Sequence, residues 1–87
     1  MSAIYFSSPT CQPCKVLKPV IDDLKEEFPD VNWTSINIKD DPEGIHQKYG
    51  VTQVPTVIVI GRDGSLQKHS GTVSATYYRM LRNVSSK

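Results

Sequence analysis

The first 38 residues are patterned as strand, helix and strand in direct succession, and this limits the folds open to the chain more than any other feature. Ala3 to Phe6 is a short apolar segment closed by the turn formers Ser7-Ser8-Pro9-Thr10. From Pro13 to Phe28, apolar residues recur as Val16, Leu17, Val20, Ile21, Leu24 and Phe28, the spacing of a helix with one buried face. Asp22, Asp23, Lys25, Glu26 and Glu27 fall on the wet face. Pro19 removes one backbone hydrogen bond within this pattern, so a kink without a break is expected there. Pro29-Asp30 ends the helix, and Val31 to Ile38, with Trp33, Ile36 and Ile38, is a second strand. Two strands joined by a helical crossover run parallel, which places the chain in the α/β class.

The remainder extends this unit. Asp40-Asp41-Pro42-Glu43 has the signature of a helix start, with an Asp cap and proline at the first helical position, and Gly50 is placed to end the short helix in a left-handed conformation. Ile45 and Tyr49 share its inner face. Val54 to Ile60 reads as a third strand, joined through Gly61-Arg62-Asp63-Gly64 to a fourth at about Ser65 to Ser70. After Gly71, Ser74 can cap a last helix whose buried stripe is Tyr77, Met80, Leu81 and Val84. The expected order is β-α-β-α-β-β-α in a single domain spanning residues 1–87.

Cys11 and Cys14 are the chain's two cysteines, and they stand where the first strand turns into the first helix. Unpaired backbone N–H groups and the helix dipole favour a thiolate at that point, so disulfide exchange is the leading chemistry for the pair. An inert pair of small buried residues and half of a zinc site are the competing readings. The histidines that would complete a zinc site, His46 and His69, lack paired ligand spacing. His46 is expected on the exposed face of the short helix and His69 near the end of the last strand. Pro13 between the sulfurs fixes one backbone angle and offers no donor N–H, which favours a reducing pair.

Charge excludes several functions. The net charge is +1, divided as five Lys/Arg against eight Asp/Glu in residues 1–60 and five against one in 61–87. The C-terminal cations Arg62, Lys68, Arg79, Arg82 and Lys87 are dispersed and form no run, so nucleic-acid binding is not expected. Val57 to Ile60, an apolar run that none in the chain exceeds, is too short for a membrane span, and Met1-Ser2-Ala3-Ile4 has no basic segment leading into an apolar core. A cytoplasmic protein is expected, in a reducing compartment where two cysteines at this spacing act in redox chemistry or metal binding.

Taken together, Thr10-Cys11-Gln12-Pro13-Cys14-Lys15, the helix proline Pro19, the segment Tyr49-Gly50-Val51-Thr52-Gln53-Val54-Pro55-Thr56 and Gly71 resemble the thioredoxin family over nearly the whole chain. The resemblance implies a three-layer α/β/α fold with a four-stranded mixed sheet of order 4-3-1-2, its third strand opposed to the others. The first and last helices would pack on one face and the middle helix on the other. It implies Cys11 as attacking thiolate, with Lys15 adding positive charge nearby, and Cys14 as resolving thiol. Pro55 would be cis, turning the Val54 backbone toward the sulfurs for pairing with an extended substrate segment. Thr10, Gln12, Pro13, Gly71 and Thr72 would form the rest of the substrate rim. No cofactor beyond the Cys11–Cys14 disulfide is implied. The partners would be disulfide-containing proteins and a flavin-containing thioredoxin reductase or similar electron donor, with the chain itself a monomer.

Three positions depart from the family's pattern. Tyr5 stands where thioredoxins usually bury an acid beneath the disulfide, Ser35 where they place its lysine partner, and Thr10 where a tryptophan commonly precedes the first cysteine. A tyrosine with an ordinary pKa of about 10 is a poor base at neutral pH, so the second thiol must lose its proton to water or another group. Two other readings remain: a glutaredoxin-like protein using glutathione, and a binding subunit in which the cysteines are incidental. The Cys-Pro-Tyr-Cys centre common in glutaredoxins is absent, and Ser70-Gly71-Thr72-Val73 replaces their Gly-Gly-x-Asp-like segment.

Overall fold

The computed structural model describes residues 1–85, so Lys87, one of the dispersed cations, lies outside the described residues. The elements follow the expected order: β1 (Ser2–Ser7), α1 (Gln12–Glu27), β2 (Asn32–Asn37), α2 (Ile45–Lys48), β3 (Thr56–Ile60), β4 (Leu66–Ser70) and α3 (Ser74–Ser85). The strands form one sheet in the order β2-β1-β3-β4. β1 pairs parallel with β2 in a register that sets Tyr5 opposite Ser35, while β3 runs antiparallel to both β1 and β4. The third strand is therefore the reversed one, and the sheet has the anticipated 4-3-1-2 order.

Alternation along β1 divides the core in two. Ala3 and Tyr5 face α1 and α3, where they join Leu17, Ile21, Leu24, Val57, Val59, Tyr77, Met80 and Leu81. Phe6 faces the other way, with Val51 and Ile58, and is covered by Ile45 and Tyr49 of the α2 segment. β3 is buried on both faces, which its Thr-Val-Ile-Val-Ile sequence suits. Burying each of Leu17, Ile21 and Leu24 stabilises the fold by roughly 1.5–3 kcal/mol. α1 continues through Pro19 without a break.

Three local expectations are corrected. Val16, expected in the buried stripe of α1, is 67% exposed. The stripe that packs is Cys14, Leu17, Ile21 and Leu24. Val16 lies about 100° around the helix from Leu17 and so points off the face. The short helix begins at Ile45, not at Asp40-Asp41-Pro42, because Gly44 is left-handed at φ 64° and interrupts helical geometry. The preceding acidic residues form a turn closed by the Gly44 N–H on the Asp41 carbonyl, 3.0 Å. β3 starts at Thr56, leaving Val54 and Pro55 outside the ladder.

Asp41 still serves the helix, though from outside it. Its carboxylate accepts the His46 backbone N–H at 2.8 Å and faces His46 Nδ1 at 2.6 Å. The backbone N–H is the main cause that holds the Asp41 carboxyl below its ordinary range. His46 is therefore folded back onto Asp41 with 22% of its side chain exposed, not displayed on a free face. At the other end Gly50 has φ 68°, as expected for a left-handed stop, and Lys68 Nζ lies 3.4 Å from the Tyr49 and Gly50 carbonyls.

A disulfide at a helix N-terminus

Cys11 is the N-cap of α1, with extended backbone angles, φ −92° and ψ 109°. This turns its sulfur back over the first turn, where the Cys14 N–H donates to it at 3.1 Å. An N–H aimed at the sulfur is the arrangement that stabilises a thiolate, and the first turn holds no acidic residue to oppose it. Gln12 and Pro13 form the exposed bridge between the cysteines, and Pro13 falls where a helix needs no donor. Cys11 and Cys14 are joined in a disulfide with Cα atoms 5.2 Å apart. Cys11 is partly exposed, whereas Cys14 is 4% exposed.

A second chain segment meets the sulfurs from the sheet side. The Val54–Pro55 peptide is cis, and the Val54 carbonyl oxygen lies 3.6 Å from Cys11 Sγ. Hydroxyls lock this turn. Thr56, 1% exposed, donates to the Gln53 carbonyl at 2.7 Å, so the 2.7 Å contact with Ser70 has the Ser70 hydroxyl as donor. The Gly71 N–H donates to the Pro55 carbonyl at 3.1 Å. Gly71 itself has φ 123°, a conformation that is strained for a residue with a side chain, and its carbonyl accepts the Tyr77 hydroxyl at 2.6 Å.

The structure thus brings Cys11, Gln12, Pro13, Cys14 and the Val54–Pro55 turn together at one disulfide, with Gly71 bonded to the far side of that turn through Pro55. Thr10 and Thr72 are exposed at the loop ends beside Cys11 and Gly71, with the Thr10 backbone N–H 3.4 Å from Ser8 Oγ. Tyr77 was expected only to pack. It is fully buried, stacks edge-on against His69 at 5.3 Å and pins the Gly71 loop through its hydroxyl. Burial, with a smaller contribution from Tyr5, pushes the Tyr77 pKa up to about 12. The Thr56–Ser70 and Tyr77–Gly71 contacts are fixed by tertiary placement, and no local spacing signals them. Trp33 packs at the border of the α1/α3 core, with its buried Nε1 unpartnered among the described residues.

Beneath Cys14, the replacement at position 5 has a defined geometry. The Tyr5 hydroxyl donates to the Cys14 backbone carbonyl at 3.1 Å, and burial raises its pKa, partly offset by Ser7 and supported by the charge of Asp22. Beside it lies a cavity of about 300 Å³ lined by Tyr5, Ser7, Cys14, Asp22 and Ser35 among others.

Comparison with known proteins bears on this arrangement. The family model described as Thioredoxin matches residues 2–83. The chain belongs to the thioredoxin family. It is 41% identical over 61 residues to a thioredoxin of Chlamydia caviae, covering 70% of this chain and 58% of that protein. It is 32% identical over 77 residues to NADPH-dependent thioredoxin reductase 3 of Arabidopsis thaliana, covering 87% of this chain and 14% of that one. The chain thus spans less than two thirds of both relatives. Its structure superposes on oxidised mitochondrial thioredoxin 3 of Saccharomyces cerevisiae with a TM-score of 0.84 and 28% identity, over 94% of this chain and 76% of the other. No helix among the described residues is long and apolar enough to cross a membrane.

Proposed function

We propose that this thioredoxin-family chain is a protein dithiol–disulfide oxidoreductase of a reducing, cytoplasm-like compartment, working through Cys11 and Cys14. The reading is carried by one observation: the Cys11 sulfur, partly exposed at the start of α1, receives the Cys14 N–H at 3.1 Å. In the reduced protein the Cys11 thiolate attacks a substrate disulfide, forming the Cys11–substrate bond as the substrate S–S bond breaks and one substrate sulfur leaves as thiolate. Cys14, once deprotonated, attacks Cys11 and expels the second substrate sulfur. The substrate gains two electrons and the protein keeps the Cys11–Cys14 bridge seen in the structure.

The Val54 carbonyl beside Cys11 supports docking of an extended substrate segment by backbone hydrogen bonds, with Thr10, Gln12, Pro13, Pro55, Gly71 and Thr72 around it. Exposed Val16 and Val73 give the surface apolar ground nearby in sequence. Likeness to part of a reductase named for NADPH and thioredoxin supports recharging by a thioredoxin reductase.

The test is insulin reduction driven by NADPH with thioredoxin reductase, run beside glutathione with glutathione reductase. Turnover with the first donor is expected, and replacement of both cysteines by serine abolishes it. Turnover with glutathione alone would reassign the chain to glutathione-dependent exchange, and activity retained without the cysteines would overturn the redox reading.

A further inference from the structure

Cys14 is 4% exposed, so the proton it must lose before resolving a mixed disulfide finds almost no open surface at the residue itself. Tyr5 cannot take it. Its hydroxyl is committed as a donor to the Cys14 carbonyl, and burial holds the phenol in its protonated form. The cavity of about 300 Å³ under Cys14 offers another route, because each water fills roughly 30 Å³ and the Ser7 and Ser35 hydroxyls supply hydrogen-bond partners on its wall.

We infer that Asp22, at the edge of this cavity, accepts the Cys14 proton through water and passes it to solvent during the resolving step. The inference rests on the exchange mechanism proposed above. Among the described residues lining the cavity, α1 contributes the ionisable side chains Lys15, Lys18, Asp22 and Lys25, β1 contributes Tyr5, and β2 contributes only the hydroxyl of Ser35. α3 adds the phenol of Tyr77, close enough to Tyr5 to interact with it but bonded to Gly71. Ammonium groups already hold their protons, which leaves Asp22 as the one carboxylate on the route. Its side chain is 58% exposed, paired loosely with Lys18 at 3.9 Å, so its outer side reaches bulk water.

The step balances. The Cys14 S–H bond breaks as its proton moves to a cavity water, which hands a proton to the Asp22 carboxylate. The Cys14 thiolate then forms the bond to Cys11 while the Cys11–substrate bond breaks, its electron pair leaving on the substrate sulfur. Asp22 returns its proton to solvent.

The experiment mixes the reduced protein with a bis(nitrobenzoate) disulfide, whose released thiolate is coloured, and follows two releases: the first reports attack by Cys11, the second resolution by Cys14. Asp22→Asn is expected to leave the first phase within about twofold and to slow the second about tenfold near pH 6–7, below the roughly 10²–10⁴-fold of a directly placed base because water intervenes. The deficit closes as pH rises, and added acetate or imidazole, small enough to enter the cavity, restores the rate. Asp23→Asn, one residue along on the exposed side of α1, leaves both phases intact. Electrostatics alone gives the opposite sign, since removing an anion near a thiol favours its ionisation and quickens the second phase. A second phase unchanged or quickened in Asp22→Asn would overturn the inference, whereas absence of the first phase in the unaltered protein would overturn the exchange mechanism itself.

Discussion

Replacing Cys14 by serine arrests the protein as a covalent complex with its substrate, and multiple turnover falls by at least about 10²-fold. The reason lies in the different settings of the two sulfurs. Cys11 keeps its N-cap position, its partial exposure and the N–H of residue 14, all of which survive the substitution, so attack still occurs. Nothing then expels the second substrate sulfur, because residue 14 no longer carries a thiol. Mass spectrometry under non-reducing conditions detects the adduct, and its release by added dithiol shows that the link is a disulfide. Cys11→Ser gives neither adduct nor turnover, since the buried Cys14 is 4% exposed and cannot meet a protein substrate. Equal adduct formation by both variants would show that the roles of the cysteines are not distinct.

The second large effect is on stability. Tyr77→Ala removes a fully buried ring from the contact of α3 with the sheet, together with the hydroxyl that holds Gly71. A loss of about 3–5 kcal/mol is expected, which is much of the roughly 5–15 kcal/mol available to a small domain. Tyr77→Phe keeps the ring and loses only the hydroxyl's bonds to Gly71 and, at 3.4 Å, His69, for about 1 kcal/mol. Thermal unfolding separates the two, with a shift on the order of 20 °C for alanine and about 5 °C for phenylalanine.

The hydroxyl also leaves a pH signature. Its pKa in the fold, about 12, is above the ordinary 10.0, so its contribution to stability is whole below about pH 10 and is lost as pH rises toward 12. Tyr77→Phe therefore unfolds less steeply with alkali than the unaltered protein, the slope that remains arising in part from Tyr5, whose pKa is also raised. An identical alkaline slope in both proteins would count against this assignment.

What could be read from the sequence follows from what local patterns encode. Strand and helix periods and the cap residues gave the order of the seven elements because those constraints act within a few neighbouring residues, and the crossover rule then made β1 and β2 parallel. The position of Cys11 at the start of α1 was visible for the same reason. The reversed β3, the cis peptide at Pro55 and the approach of Val54 to the disulfide came from family resemblance rather than from period or spacing. What local pattern left out is of two kinds. Val16 and the start of α2 turned on one-residue geometry, a 100° rotation in the first case and left-handed Gly44 in the second. Tyr5 on the Cys14 carbonyl, Thr56 with Ser70 and Tyr77 on Gly71 join residues from separate elements through single hydroxyls, and hydrophobic pattern is blind to such contacts.

The central claim, that the N-terminus of α1 holds a nucleophilic sulfur ionised at position 11, is tested most directly by the rate at which the reduced protein is alkylated there as pH is varied. A sulfur receiving the Cys14 N–H at a helix N-terminus should label along a curve whose midpoint lies well under the ~8.5 of a free thiol. A midpoint at or above ~8.5, or a reduced Cys11 that resists alkylation, would contradict the account.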